Sequence, residues 1–212
     1  MLKRLLDLLY PPRCVLCHRF LERGETDLCC ACGKRVLELQ YRQRALRPLS
    51  RCVSLLPYEG VFRESLTRYK FDGRAFYADT YAKWLAALIQ SELSGTFDLM
   101  TWVPVSRKRK RKRGYDQTEL LCRGAAKLLG AEVVRALEKT RDNPAQSSME
   151  NAEARRANVK NVYAAADPET IRGRRILLMD DILTTGATME VCAKTLLQAG
   201  AAEIVGCTLA SG

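Results

Sequence analysis

The sequence predicts an α/β fold with a largely parallel central sheet, preceded by a small cysteine-rich module. The segment 176–210 contains an apolar strand, a turn, a helix that ends at Gly200 and a second strand, which is the pattern of a βαβ unit. Five of the nine cysteines lie between Cys14 and Cys32. A chain of 212 residues has room for one α/β domain and an appendage, but hardly for two full domains.

The composition points to an anionic partner and to a cytoplasmic protein. The formal net charge is +11, which favours association with a phosphorylated ligand or a nucleic acid, although a solvated basic surface would have the same composition. No apolar stretch is long enough to span a bilayer. The N-terminal MLKRLLDLLYPP resembles a signal peptide only superficially, because Asp7 interrupts its short apolar run, and we expect a short amphipathic helix that Pro11 and Pro12 stop.

Periodicity predicts the elements between these two ends. In chain order they are a strand at 52–58, helices at 61–71 and 75–91, a strand at 98–105, a helix at 115–129 and a strand at 131–138. The polar segment 140–163 is too long for an ordinary connection, and such segments are usually lids or disordered. We therefore expect a lid there.

The cysteine cluster predicts a structural zinc site. Cys14 and Cys17 form one Cys-x-x-Cys pair, Cys29 and Cys32 form another, and four thiolates in this arrangement suit tetrahedral Zn²⁺. A redox pair is the alternative for a single such motif, and the neighbouring Cys30 and His18 are alternatives for the fourth ligand. We expect a zinc-finger module over 1–48 and the α/β domain over 49–212.

The residues after the apolar strand 176–179 suit a ribose phosphate. The strand delivers Asp180 and Asp181 to the carboxyl edge of the sheet, where open α/β folds bind ligands. A bend would let both carboxylates accept the ribose hydroxyls, directly or through Mg²⁺. The turn that follows offers hydroxyls and a helix N-terminus to a phosphate, from Thr184, Thr185, Gly186, Ala187 and Thr188. The alternatives are a turn whose threonines merely cap the helix and a receiver-type acidic Mg²⁺ pocket.

The segment Ile176–Thr188 resembles the phosphoribosyl-pyrophosphate signature of type I phosphoribosyltransferases. This resemblance implies their fold, with a loop after the first core strand that holds pyrophosphate. The basic loop 106–114 occupies that place, and we expect its pyrophosphate contacts from Arg107, Lys108, Arg109 and Arg113. Seven cations in a row exceed what pyrophosphate needs, so the surplus either faces solvent or binds a second polyanion such as single-stranded DNA.

Nearly the whole chain resembles the ComF family of competence proteins, which includes the ComFC and GntX groups. The resemblance rests on the four-cysteine finger, Tyr58–Gly73, VPVSRKRKRKRGYDQ, Gln146–Val159 and the terminal DDILTTGAT. One departure is Asp116, where the family usually has Asn. The resemblance implies a role in natural transformation, in which the protein handles incoming single-stranded DNA beside a ComFA-type helicase.

Three functions are compatible with these features. In a phosphoribosyltransferase, Asp180 and Asp181 would hold the ribose while Mg²⁺ and the basic loop stabilise the leaving pyrophosphate. In a binding module, the same site would hold phosphoribosyl pyrophosphate while the protein engages DNA and a helicase. A vestigial motif is the third reading, against which the intact Asp180, Asp181 and TTGAT argue.

Overall fold

A five-stranded sheet forms the centre of the domain. The computed structural model describes residues 11–140 and 162–212, and all positions below refer to these residues. The sheet strands, in chain order, are β1 (Arg42–Arg44), β2 (Arg51–Pro57), β3 (Leu99–Trp102), β6 (Arg175–Leu183) and β7 (Glu203–Ser211). A separate antiparallel pair consists of β4 (Leu137–Lys139) and β5 (Tyr163–Ala165).

The sheet is parallel apart from its edge strand. The spatial order is β1-β2-β7-β6-β3, in which β2, β7, β6 and β3 pair in parallel and β1 runs antiparallel to β2. Between β6 and β7 lies helix α7 (Ala187–Gln198), so the expected βαβ unit is present. Strand β6 lies between two parallel neighbours, which explains why its sequence is an unbroken apolar run up to Asp180.

Helices cover both faces of the sheet. The remaining helices, in chain order, are α1 (Cys30–Leu37), α2 (Gly60–Phe71), α3 (Tyr77–Glu92), α4 (Arg107–Arg113), α5 (Gln117–Leu129) and α6 (Pro168–Ile171). Leu177 and Met179 of β6 pack on one face with α2, α3 and α5. Ile176 and Leu178 pack on the other face with α7 and the β4–β5 pair. Side chains of β6 therefore alternate between two cores, as expected for a central strand.

The cysteine module packs onto the domain through α2. Ser65 and Arg68 of this helix donate hydrogen bonds to the backbone carbonyls of Val15 and Leu16, and Cys14 lies in the same core as Leu66. The edge strand β1 falls within the expected 1–48 module, yet it pairs with β2 of the sheet. The module and the sheet are thus joined both by packing and by backbone pairing.

One expected element is shorter in the structure. The strand expected at 131–138 is reduced to a bridge between Val133 and Met100 and to the short β4. The cysteine-rich segment contains the short helix α1, which Cys29 caps by accepting from the backbone N–H of Cys32.

Some expectations fall outside the described residues. These include the N-terminal amphipathic helix up to residue 10 and nearly all of the expected lid 140–163. Within the described ranges, every helix is too short or too polar to cross a membrane.

Candidate functional site

A cleft of about 820 Å³ opens at the carboxyl edge of the sheet. Its walls come from the ends of three parallel strands: Tyr58 follows β2, Val103–Val105 follow β3, and Asp180–Leu183 end β6. This is the edge at which open α/β sheets bind ligands. The cleft therefore lies where the sequence places the ribose-phosphate site.

The two aspartates of β6 lie on opposite faces of the strand. The expected bend between them is wrong: β6 continues to Leu183, with Asp180 and Ile182 opposite Thr208 and Ala210 of β7. The strand stays extended because β7 runs beside it to Ser211. Both carboxylates still line the cleft, but each meets a different set of neighbours.

Asp181 is held by two side chains. Lys70 Nζ lies 2.8 Å from Asp181 Oδ1, and Gln117 Nε2 donates to Asp181 Oδ2 at 2.7 Å. The side chains of Asp181 and Lys70 are only 8% and 16% exposed, so the ion pair is largely shielded from solvent. The carboxylate is thus both charge-compensated and fixed in orientation.

Asp180 is in a less favourable environment for a charge. Its Oδ1 accepts a 2.7 Å hydrogen bond from the backbone N–H of Asp181. Burial, followed by the nearby Asp181 charge, raises the pKa of Asp180 well above its usual range. The cleft therefore contains one carboxylate that an ion pair compensates and one, Asp180, that forms no ion pair with the described residues.

The TTGAT turn forms the floor of the cleft beside these carboxylates. Thr184, Gly186, Ala187 and Thr188 line the cleft. The hydroxyl of Thr185 instead accepts from the backbone N–H of Ala187 at 3.4 Å, within the turn that precedes α7. Four of the five residues of the turn therefore line the cleft, and Thr185 bonds within the turn.

Gly186 is required by backbone conformation and by packing. Its φ is +85°, and a Cβ at this position would lie 2.3 Å from Leu46 Cδ1. Leu46 belongs to the segment that links β1 to β2, and Arg44 of β1 donates a hydrogen bond to the carbonyl of Thr184. The edge of the sheet therefore supports the turn from behind.

The basic segment 106–114 is a helix rather than the expected loop. Ser106 caps α4 by accepting from the backbone N–H of Arg109, and Gly114 ends it in the left-handed conformation with φ +83°. Lysine and arginine between these caps are good helix formers.

The helical period sorts the cations of α4 into two faces. Arg109, Lys112 and Arg113 line the cleft, whereas Arg107, Lys108 and Arg111 are exposed and lie outside its lining. Lys110 pairs with Glu119 of α5 at 3.0 Å. Of the four expected pyrophosphate contacts, the structure brings Arg109 and Arg113 to the cleft, adds Lys112, and leaves Arg107 and Lys108 outside.

Asp116 has a structural explanation. Its carboxylate accepts hydrogen bonds from the backbone N–H groups of Val105, Thr118 and Glu119. It therefore caps α5 and ties the end of the β3 segment to that helix. The Asp116 carboxylate is therefore directed at backbone N–H groups and lies outside the lining of the cleft.

The four paired cysteines form a cluster that fits tetrahedral zinc. The Sγ atoms of Cys14, Cys17, Cys29 and Cys32 all lie within 4.8 Å of one another, and that of Cys17 is 3.7 Å from that of Cys29. Ligands at a zinc–sulfur distance of about 2.3 Å in a tetrahedron lie about 3.8 Å apart. Among the described residues, Cys30 and His18 do not belong to this cluster.

The electrostatics of the cluster also favour a cation. Although burial opposes ionisation, hydrogen bonds from Arg19 and from the Cys32 backbone lower the pKa of Cys29 to about 6. Burial and the neighbouring thiols raise the pKa of Cys32. Four thiols this close cannot all ionise without a metal between them, which is the environment that a structural zinc provides.

Two domain families match parts of the chain, and relatives match it over most of its length. The phosphoribosyl transferase domain family matches residues 121–212, and the double zinc ribbon domain family matches residues 5–43. The DNA utilization protein YhgH of Escherichia coli O157:H7 is 28% identical over 200 residues, which cover 90% of this chain and 86% of that protein.

Two relatives are named for competence. Competence protein ComFC of Streptococcus pneumoniae R6 is 31% identical over 151 residues, covering 71% of this chain and 64% of that protein. Competence protein F of Haemophilus influenzae Rd is 26% identical over 215 residues, covering 91% and 93%. These matches, with the parallel sheet and the cysteine cluster, confirm the resemblance, the type I phosphoribosyltransferase fold class and the N-terminal zinc module.

We expect Asp180→Asn to stabilise the protein in the absence of ligand. A carboxyl whose pKa is raised by folding lowers the free energy of unfolding as pH rises from its unfolded-state pKa to its folded-state pKa, and the loss is recovered as pH falls back through this window. The amide removes this cost. In thermal denaturation at neutral pH the melting temperature should rise, by about 2–4 °C for each kcal/mol gained in a chain of this size.

Asp181→Asn is the matched contrast for that experiment. It removes the anion from Lys70 and leaves a shielded ammonium without its partner, so the melting temperature should fall. A lower melting temperature for Asp180→Asn, or an unchanged pH dependence, would contradict the assignment of Asp180 as the strained carboxyl.

We expect elemental analysis to find about one zinc per chain. Cys14→Ser and Cys32→Ser should lose the metal and lower the melting temperature, because both cysteines are buried in the main core. The controls are Cys30→Ser and His18→Asn, the latter chosen because asparagine tolerates the φ of +63° at that position. Retention of zinc by the first pair, or its loss in the controls, would refute the ligand set.

Proposed function

We propose that this chain, a ComFC-like protein in which a phosphoribosyltransferase domain follows an N-terminal double zinc ribbon, binds phosphoribosyl pyrophosphate and handles single-stranded DNA in natural competence. The observation that supports the first part is the set of groups that line one cleft. Residues of the turn 184–188, the carboxylates of β6 and the inward cations of α4 all line it. Phosphoribosyl pyrophosphate has a phosphate, a diol and a pyrophosphate, one for each of these groups.

Each part of that ligand finds a suitable partner. The 5′-phosphate would lie at the turn 184–188, where the α7 N-terminus offers backbone N–H groups and Thr184 and Thr188 offer hydroxyls. The ribose hydroxyls would donate to Asp180. The pyrophosphate would lie against Arg109, Lys112 and Arg113. Magnesium, which binds largely through substrate phosphates and retained waters, would enter with the pyrophosphate and offset its charge.

Zinc is proposed to have a structural role in the ribbon module. Four thiolates fill a tetrahedral coordination sphere and leave no open position for chemistry. The module contacts α2, and α2 carries Lys70 into the cleft, so the metal would support the site from a distance.

The proposal for DNA rests on the outward face of α4. Arg107, Lys108 and Arg111 are exposed and lie outside the lining of the cleft. A group of exposed cations that can follow the phosphates of a strand is typical of single-strand binding. A helicase partner is proposed from the family resemblance alone.

A phosphoribosyltransferase activity on a nucleobase or another small acceptor is the second candidate. Three aromatic side chains line the cleft and could stack on an acceptor: Tyr58, Phe71 and Tyr163. In this reaction the bond from C1 of the ribose to pyrophosphate breaks, and the acceptor nucleophile bonds to C1. The cleft cations would stabilise the departing pyrophosphate. Release of pyrophosphate that depends on an added acceptor would favour this function over binding alone.

In calorimetry we expect phosphoribosyl pyrophosphate to bind in the presence of Mg²⁺. This binding should depend on the inward face of α4, which consists of Arg109, Lys112 and Arg113. Neutralising Arg109, Lys112 and Arg113 to Gln should weaken binding by about 100-fold or more, because each charge-assisted hydrogen bond contributes about 1.5–3 kcal/mol. Neutralising Arg107, Lys108 and Arg111 removes the same charge from the outward face and should change the affinity only a few-fold. Equal effects of the two triple variants would contradict the assignment of the cleft face.

We expect the opposite pattern for single-stranded DNA. The outward triple variant Arg107→Gln, Lys108→Gln and Arg111→Gln should weaken binding of an oligonucleotide in fluorescence anisotropy. The slope of log affinity against log salt should fall in magnitude by about 2, since each phosphate contact on a single strand contributes about 0.7. A slope that the outward variant leaves unchanged would exclude this surface as the DNA site.

A further inference from the structure

Both oxygens of Asp181 already have protein partners, so this carboxylate differs from its neighbour. Lys70 Nζ takes Oδ1 at 2.8 Å and Gln117 Nε2 takes Oδ2 at 2.7 Å. The three side chains come from β6, α2 and α5, and all three line the cleft. A ligand hydroxyl that approached Asp181 would have to compete with a shielded ion pair and a short hydrogen bond.

Gln117 has one side-chain atom left over. Its Oε1 is buried and has no hydrogen-bond partner among the described residues, and the residue as a whole is only 4% exposed. Turning the amide over would place Oε1 against the Asp181 carboxylate, an acceptor against an acceptor, so the orientation of the amide is fixed. An unpaired buried acceptor lowers stability, and a donor that reached it would remove that cost.

The position of Gln117 is set by three contacts outside its own side chain. The Tyr69 hydroxyl donates to the Gln117 carbonyl at 2.7 Å, and Tyr69 precedes Lys70 in α2. The Tyr115 hydroxyl donates to the Tyr69 carbonyl, and Asp116 caps α5 directly before Gln117. Lys70 and Gln117 are therefore held as one unit relative to the end of β6.

We propose that Lys70 and Gln117 hold Asp181 as positioning residues, and that the free amide oxygen of Gln117 joins Asp180 in accepting the hydroxyls of a ribose. This assignment rests on the proposed binding of phosphoribosyl pyrophosphate and adds to it the side chains that recognise the sugar. In this assignment Asp181 lines the cleft without binding the sugar, and Lys70 compensates its charge. Gln117 is then a ligand-binding residue.

The chemistry of the ligand explains why such a division is useful. Two adjacent free carboxylates would repel a ligand that carries phosphates at both ends. With Lys70 against Asp181, one carboxylate charge is compensated, and a neutral amide acceptor replaces the second acid at the sugar. The hydroxyls of ribose are donors, so they suit both a carboxylate and an amide oxygen.

The experiment compares two probes in calorimetry with Mg²⁺: phosphoribosyl pyrophosphate and inorganic pyrophosphate. Gln117→Met keeps the size and flexibility of the side chain but removes both the acceptor and the donor to Asp181. We expect this variant to lower the affinity for phosphoribosyl pyrophosphate about 10-fold, which is the effect of losing about one hydrogen bond. Inorganic pyrophosphate has no sugar and contacts the inward face of α4, so its affinity should stay within about twofold of the wild type.

Lys70 is tested by a pair of variants. Lys70→Met should lower the affinity for phosphoribosyl pyrophosphate more than the affinity for inorganic pyrophosphate, because Asp181 loses its cation and its fixed orientation. Lys70→Arg keeps a cation within reach of the carboxylate and should recover most of the affinity. Melting temperatures of all variants, measured without ligand, show whether a loss of binding comes from loss of the fold.

The outcomes separate the inference from the function on which it rests. If the wild type does not bind phosphoribosyl pyrophosphate, the proposed function fails and this assignment fails with it. If the wild type binds but Gln117→Met binds equally well, the function stands and the role of Gln117 is overturned. An equal loss of affinity for both probes in a folded variant also overturns it, because removing a contact to the sugar cannot weaken the binding of a ligand that has no sugar.

Discussion

The ion pair between Lys70 and Asp181 connects helix α2, which also contacts the cysteine module, to the end of the central strand β6. Asp181 stands at the end of a central strand, and Lys70 stands in the last turn of α2. Two residues earlier, Arg68 donates a hydrogen bond to the carbonyl of Leu16 in the cysteine module. A single helix thus fixes the metal-binding module on one side and the cleft on the other, and the carboxylate that it reaches has little freedom to move.

The charges in the cleft are unevenly compensated. Asp181 has a cation, whereas burial and Asp181 itself raise the pKa of Asp180. On another wall of the cleft, burial lowers the pKa of Arg113. Groups of both signs are therefore held where water solvates them poorly, at a cost to stability that a ligand with a diol and a pyrophosphate would relieve. Perturbed pKa values of this kind cluster at functional sites.

The sequence could predict those parts of the site whose residues lie close together along the chain, and it could not predict the parts that the fold brings together. The Asp180–Thr188 segment and the two Cys-x-x-Cys pairs are local patterns, so their chemistry is legible from residue order alone. Lys70 and Gln117 lie 111 and 64 residues from Asp181, and only the topology of the sheet brings them to it. The basic helix shows the opposite difficulty. Its cations were visible, but their division into two faces required knowing that Ser106 and Gly114 cap a helix rather than bound a loop.

The division of α4 bears on whether one helix can serve two polyanions at once. A helix with its side chains is about 10–12 Å across, so anions on opposite faces are separated by about that distance. Two unit charges 10 Å apart in water repel by about 0.4 kcal/mol, and physiological salt screens this further. A ligand held by Arg109, Lys112 and Arg113 would therefore only weakly oppose a nucleic acid held by Arg107, Lys108 and Arg111. Because coupling between two binding sites is reciprocal, the nucleic acid would disturb the ligand equally little, and occupancy of the cleft and of the outward face can be combined in one protein.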